Sequence, residues 1–465
     1  MEITYSSKKV FKNSALSVLY KGIGMVLSLI SAPLILNCLG EEKYGVWVSL
    51  LSIVSWIYYL DLGIGNGLRI RLSESLAEKK KEKAQKYISV SYAILSTISF
   101  VAFIVVAFFL KIIDLKSVLN IHGDINENIN LIFAIAILFV CINFVFSLVN
   151  NIFYAVQNAS AVSALTIIGQ AIYILGLLLY SKTGSGTILV IATIEGISQF
   201  LKNIIGSIWA YVKYPECRIK IEKPDMKYSQ GILSFGLQTF ISNIAALILN
   251  STDNIIILRY LGADVVTPYS FCYKYFAMIS TVFAVIVVPL QSAYTMAYTN
   301  NNVKWIIKNL KRAMMILTVF SVGTVMAGII FRPFTVIWLQ KKLYFSNKLI
   351  VYTALYCILL MISHTFSTLT SGIGRIKETT IASVVQAFIN IPVSVFFAVN
   401  LGMGVEGVIL GSVIAIAISA IVGPIVSYDE LRKIKEKQME TILKSERILW
   451  NGQWQSGAMI IEDGR

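Results

Sequence analysis

Ionisable side chains interrupt or border long apolar runs along this 465-residue chain: Lys21, Asp61, Arg69, Glu195, Lys202, Asp253, Lys274 and His364. A charge at membrane depth is costly, so such residues face a partner or a wet cavity, or snorkel to the interface. Buried cations suit an anionic ligand, carboxylates suit cations or modulate neighbouring lysines, and a histidine titrates near neutral pH. The residues around these charges share faces at helical spacing. Ser17, Lys21, Gly24, Ser28 and Ala32 recur every three or four residues. Gln238, Ser242, Ala246, Asn250 and Asp253 fall within an arc of about 120°, and Lys274, Ala277, Thr281, Ala284 and Ser292 lie together. For the small residues the alternative reading is close helix packing in a membrane. For His364, beside Ser363, Thr365 and Ser367, it is a hydrogen-bonded structural residue.

The elements that must position these residues are membrane helices. Hydrophobic residues make up 56% of the chain and charged residues 14%, against about 25% charged in soluble domains; the mean hydropathy is +0.73. Apolar runs give twelve spans, roughly 14–36, 44–63, 87–110, 130–153, 161–181, 187–211, 230–258, 265–295, 313–331, 349–371, 380–400 and 404–427. About 20 residues cross a bilayer core, and every backbone group there must be satisfied internally, so the spans are helices. The expected fold is an all-α polytopic membrane protein with twelve helices in two six-helix lobes around a central cavity. The lobes cover 1–213 and 230–428, joined by a linker 214–229 and followed by a tail 429–465 that is partly an amphipathic helix.

Lys and Arg set the orientation. The N-terminus, the connections 64–86, 154–160, 212–229, 296–312 and 372–379, and the tail hold about 28 of them; the opposite connections hold about 9. Both termini are therefore expected to be cytoplasmic. The net charge of +15 follows this topology and does not point to nucleic acid. No opposite-side connection exceeds about 20 residues, which leaves no room there for a catalytic domain. The halves echo one another: Leu39-Gly40 and Leu261-Gly262, Asn158/Gln170 and Gly374/Gln386, Glu195-Gly196 and Glu406-Gly407. Their order favours a 6+6 parallel repeat, a plan common in transporters.

Depth along the spans predicts two charge groups, Lys21/Asp61 with Arg69 toward the cytoplasm and Asp253/Lys274 toward the outside. Glu195 and Lys202, seven apart, can share a face, and Glu406 is placed at an outer helix end. Trp47, Trp56, Tyr58 and Tyr59 read first as interfacial anchors, with sugar stacking as the alternative. Gly63-x-Gly65-x-Gly67 follows a membrane helix and not a strand, so it is no dinucleotide loop, and there is no phosphate-loop motif for ATP. Scattered cysteines (Cys38, Cys141, Cys217, Cys272, Cys357) indicate neither disulfides nor a metal, and no cleavable signal peptide is visible. No cofactor is expected.

The stretch Leu39-Gly40-Glu41-Glu42-Lys43-Tyr44-Gly45-Val46-Trp47, followed by Leu60-Asp61-Leu62-Gly63-Ile64-Gly65-Asn66-Gly67-Leu68-Arg69, resembles the N-terminal signature of the O-antigen flippases (Wzx). So does Thr252-Asp253-Asn254-Ile255-Ile256-Ile257, continuing through Leu261-Gly262 to Val266-Thr267-Pro268-Tyr269 and Tyr273-Lys274. The resemblance spans nearly the whole chain except about 445–465 and implies membership of the MATE-like flippase superfamily, acting by alternating access and not as an enzyme. It implies movement of undecaprenyl-diphosphate-linked oligosaccharide repeat units (O-antigen or related surface polysaccharide) to the outer leaflet of a bacterial plasma (inner) membrane, alongside polysaccharide polymerase machinery. Such a substrate demands cations for its diphosphate and a wet path for its sugars. Lys21, Arg69 and Lys274 are the candidate substrate-binding cations; Asp61, Asp253, Asn250, Gln238, Glu195 and Lys202 are candidate cavity or ion-coupling groups. The alternatives are a multidrug or cation antiporter, which would favour carboxylates over buried lysines, and a lipid II-type flippase, for which fourteen spans are implied.

Overall fold

The computed structural model describes residues 7–56, 63–121, 125–182, 186–219, 225–230, 232, 252–287, 290–299, 302–341, 343–375 and 377–462. Among them the regular elements are all helical. The first half contains α1 (Ser7–Ser55), α2 (Ile64–Ala77), α3 (Lys81–Ile112), α4 (Leu115–Val118), α5 (Ile129–Phe146), α6 (Leu148–Ala155), α7 (Ala159–Ser181) and α8 (Ile188–Lys213). The second contains α9 (252–261), α10 (Ala263–Val287), α11 (Leu290–Thr299), α12 (Val303–Leu339), α13 (Asn347–Gly372), α14 (Lys377–Val395), a π turn Phe396–Asn400, and α15 (Val405–Glu462).

Ten helical stretches among the described residues are long and apolar enough to cross a membrane, which makes the chain a multi-pass membrane protein. The two other expected spans, 44–63 and 230–258, lie partly outside the described residues. The basic connection 64–86, expected as a loop, is helical: α2 and the start of α3 carry it. Its charges pair locally, as in Arg71–Glu74 at 2.9 Å and Lys80–Glu78 at 3.0 Å. The helix of the tail continues unbroken from the last span to Glu462.

The opening hairpin turns on Gly40, whose φ of 76° and ψ of 176° suit glycine alone. Before it, α1 runs alongside α7: Ser17 Oγ lies 2.7 Å from Ser163 Oγ, Gly24 meets Thr166, and Cys38 meets Gly186. After it the chain doubles back. Lys43 bonds Gly186 O at 2.8 Å and pairs with Glu127 at 2.8 Å, while Glu127 accepts the first N–H of α8 from Ile188 at 2.8 Å. That explains the lysine of the opening motif as a clamp on a helix N-terminus.

Helices of the first half pack among themselves, chiefly α1 with α7, α5 with α8, α7 with α8 and α3 with α5. The second half does so through α13–α15, α14–α15, α10–α13 and α12–α13, and the main contact between the halves is α1 with α10. That contact is tight at the end opposite the N-terminus. A Cβ on Gly45 would stand 2.0 Å from Ala263 O, so only glycine permits the approach. Around it Thr267 Oγ1 donates to Glu41 O at 2.6 Å, and Ser49 donates to Asn254 O at 3.2 Å. Asn254 in turn donates to Ser52 Oγ at 3.0 Å, and the Trp338 indole donates to Leu29 O at 2.8 Å. The Tyr44 and Phe271 rings stack at 4.8 Å. Trp47, read from the sequence as an interfacial anchor, is 2% exposed and belongs to the core; the doubling-back at Gly40 turns it inward.

Candidate functional site

Below that seal the halves part around a cavity of about 660 Å³. The α1 stripe supplies Ser17, Lys21, Gly24 and Ser28, as its spacing predicted. From the other half α10 supplies Thr281 and Ala284, also from the predicted stripe, and α6 and α7 add Tyr154, Ser163 and Thr166. Four and three residues correspond to about 400° and 300°, so the α1 positions stack on one face over about three turns. Lys21 is the charged side chain among the described residues that line this cavity, and it is exposed. Among the described residues no carboxylate lines it. Arg69, at the near side on α2, holds its guanidinium 5.1 Å from the centre of the Tyr154 ring, so a second cation stands behind the cavity wall.

A second charge group links α8 with α10 electrostatically. Glu195 interacts electrostatically with Lys202 on its own helix and with Lys274 across the contact between the halves. Lys202 also bonds the Gln199 carbonyl, and its stem covers Gly169 of α7, where a Cβ would come within 2.9 Å. The shared face expected for Glu195 and Lys202 is present. The expected Asp253/Lys274 pair is not. Asp253 is 5% exposed and accepts hydrogen bonds from Tyr269 at 2.6 Å and Ser412 at 2.8 Å; Asn390 donates to Ser412 at 2.9 Å and accepts from Thr252 at 3.1 Å. Tyr269 and Lys274 are five residues apart, about 140° around the helix. Tyr269 turns to Asp253 within the second half, and Lys274 faces the first.

Asp61, Gln238 and Asn250 lie outside the described residues. Glu406 stands in the first turn of α15, and His364 is half-buried on α13. Sequence reasoning missed Tyr154, Ser163 and Thr166 on the cavity wall, because their face of α6–α7 is defined only by its neighbours. It also missed Asn390 and Ser412, although polar residues within apolar spans are a usable signal. Among the described residues no group of three or more His, Cys, Asp or Glu is arranged to hold a metal.

A multi-pass helical fold whose halves enclose a polar cavity defines a class, the membrane transporters. Within it, the chain belongs to the family described as "Polysaccharide biosynthesis protein", which matches residues 10–294; the MatE family matches 239–396. The chain is 21% identical over 405 residues to a Salmonella typhimurium protein named "Putative O-antigen transporter", covering 86% of this chain and 92% of that one. A Salmonella typhi protein of the same name is 26% identical over 290 residues, covering 60% and 63%. Among solved structures, the fold is similar to a multidrug resistance MATE family transporter of the MOP superfamily in an inward-facing conformation. The TM-score is 0.74 at 16% identity, covering 90% of this chain and 96% of that one. It is also similar to a MOP superfamily transporter from Pyrococcus furiosus, with a TM-score of 0.64 at 17% identity and coverage of 92% and 96%.

Proposed function

We propose that this chain is a flippase that carries undecaprenyl-diphosphate-linked oligosaccharide repeat units from the cytoplasmic to the outer leaflet of a bacterial plasma membrane by alternating access. The observation that carries the reading is the cavity between the halves, where among the described lining residues Lys21 is the charge and none is acidic. A cavity built for a cationic drug would present carboxylates; this one suits an anionic headgroup with the isoprenoid tail left in lipid. The O-antigen transporter names of the relatives point the same way.

In this reading twelve helices form lobes 1–213 and 230–428, joined by the linker 214–229, with the tail 429–465 and both termini in the cytoplasm. Lys21 and Arg69 meet the diphosphate as it enters. Lys274, Lys202 and Glu195 hold charge across the lobe contact, with Asp61, Gln238 and Asn250 contributing polar groups along the path. Asp253 is the ion-coupling carboxylate of the second lobe. The substrate leaves chemically unchanged, so no cofactor or catalytic residue is called for, and a polysaccharide polymerase at the outer leaflet is the class of enzyme that consumes it. The test is expression in a flippase-deficient strain. Restored surface polysaccharide supports the reading; correct membrane insertion without restoration in strains making several different repeat units rejects it.

A further inference from the structure

A separate cavity of about 430 Å³ lies inside the first half, between the second arm of α1, α5 and α8. One end is apolar, with Trp47, Ala136 and Val140. The other carries Asn143, Glu195, Gln199, Lys202 and Asn203. Asn203 is 2% exposed; its amide group donates to Asn143 Oδ1 at 3.1 Å, and its own Oδ1 has no partner. Trp47 Nε1, also buried, is directed at the Tyr173 hydroxyl. A buried polar atom is stabilised by a hydrogen-bond partner, so Asn203 Oδ1 is an acceptor that a ligand hydroxyl could satisfy. The set on offer is a free amide acceptor, an ammonium, a carboxylate and an apolar wall that includes the Trp47 ring. A sugar ring uses that set, since each hydroxyl both donates and accepts and its C–H face is apolar. The volume also suits one: ligand pockets run from about 300 Å³ upward.

The position fits as well. Gly169, beneath the Lys202 stem, is only three residues beyond Thr166, which lines the cavity holding Lys21. Thr166 stands against Gly24, three residues past Lys21, so the sugar end of this pocket lies about six residues, or 9 Å, beyond the Lys21 level. We infer that this pocket within the first lobe is a subsite for one sugar ring of the lipid-linked repeat unit, occupied while the diphosphate lies by Lys21. The inference rests on the flippase reading above and adds to it the place where the oligosaccharide is recognised.

The experiment uses the full chain in lipid nanodiscs and two ligands: undecaprenyl diphosphate without sugar, and the undecaprenyl-diphosphate repeat unit extracted from cells that make it. Gln199→Ala and Trp47→Phe are expected to weaken binding of the sugar-bearing lipid about tenfold, the equivalent of one net hydrogen bond, and to leave the bare diphosphate lipid unchanged. Lys21→Ala is expected to weaken both. Thermal unfolding of the empty protein separates folding defects, because Trp47→Phe shrinks a buried side chain and a folding defect would weaken binding of both lipids alike. Equal loss for both lipids in the pocket variants, or no loss for either, overturns the subsite. Wild-type protein that binds neither lipid rejects the flippase reading itself and the subsite with it.

Discussion

Among the described residues Lys21 is the one that gives the central cavity its cationic character. Replacing it with alanine removes the lining charge while keeping helical propensity, and its exposure means that no packing is lost. A charge-assisted hydrogen bond is worth about 1.5–3 kcal/mol. Two unit charges 4 Å apart contribute between about 1 kcal/mol in bulk water and about 4 at a partly screened site. The cavity is open, so the lower half of that range applies, and Lys21→Ala should reduce affinity for a diphosphate lipid by about 5- to 70-fold. Lys21→Arg keeps the charge and should stay within about threefold of wild type, whereas Lys21→Glu replaces attraction with repulsion and should fall below alanine. Binding in nanodiscs measures the order directly, and surface-polysaccharide export in a complemented strain reads its consequence. Raising salt should shrink the gap between lysine and alanine, since an open site is screened. Equal affinity across the lysine, alanine and glutamate forms would refute the assignment.

Gly45→Ala must push α1 away from Ala263 O, because its Cβ would otherwise sit 2.0 Å from that oxygen; overpacking of this kind costs about 1–3 kcal/mol. It should lower thermal stability and raise maleimide labelling of Ser49→Cys in a background without the native cysteines. Asp253→Ala strands the Tyr269 and Ser412 hydroxyls and should cost about 2–5 kcal/mol, with Asp253→Asn at less than half of that, read by thermal unfolding in detergent. Glu195→Gln leaves Lys202 and Lys274 without their shared counter-charge. In a double-mutant cycle with Lys274→Gln the coupling should exceed about 0.5 kcal/mol, and additive effects would remove Glu195–Lys274 as a link between the halves.

Much of the cavity was legible in the sequence. The α1 stripe from Ser17 to Ser28 and the α10 pair Thr281/Ala284 appear on its wall because a helix repeats every 3.6 residues, and any polar stripe in a membrane segment must turn away from lipid. The opening motif was legible as a signature but not as a mechanism. Gly40 supplies a backbone conformation, Lys43 clamps the start of α8 through Glu127, and Gly45 permits the close approach to Ala263. Each of those roles depends on a partner far away in the chain.

The sequence by itself determined that the chain crosses a membrane repeatedly and which faces of its helices are polar. Both follow from local rules, the length of an apolar run against the bilayer thickness and the helical period. Which charges meet was decided only by the tertiary structure. Counted along their spans, Asp253 and Lys274 were expected together on the outer side, yet the rotation of α10 gives Tyr269 to Asp253 and directs Lys274 to Glu195 in the other half. Depth is a property of one helix and can be counted along it. A helix's rotation about its axis, and the neighbour its charge then faces, is set by the packing of all the others.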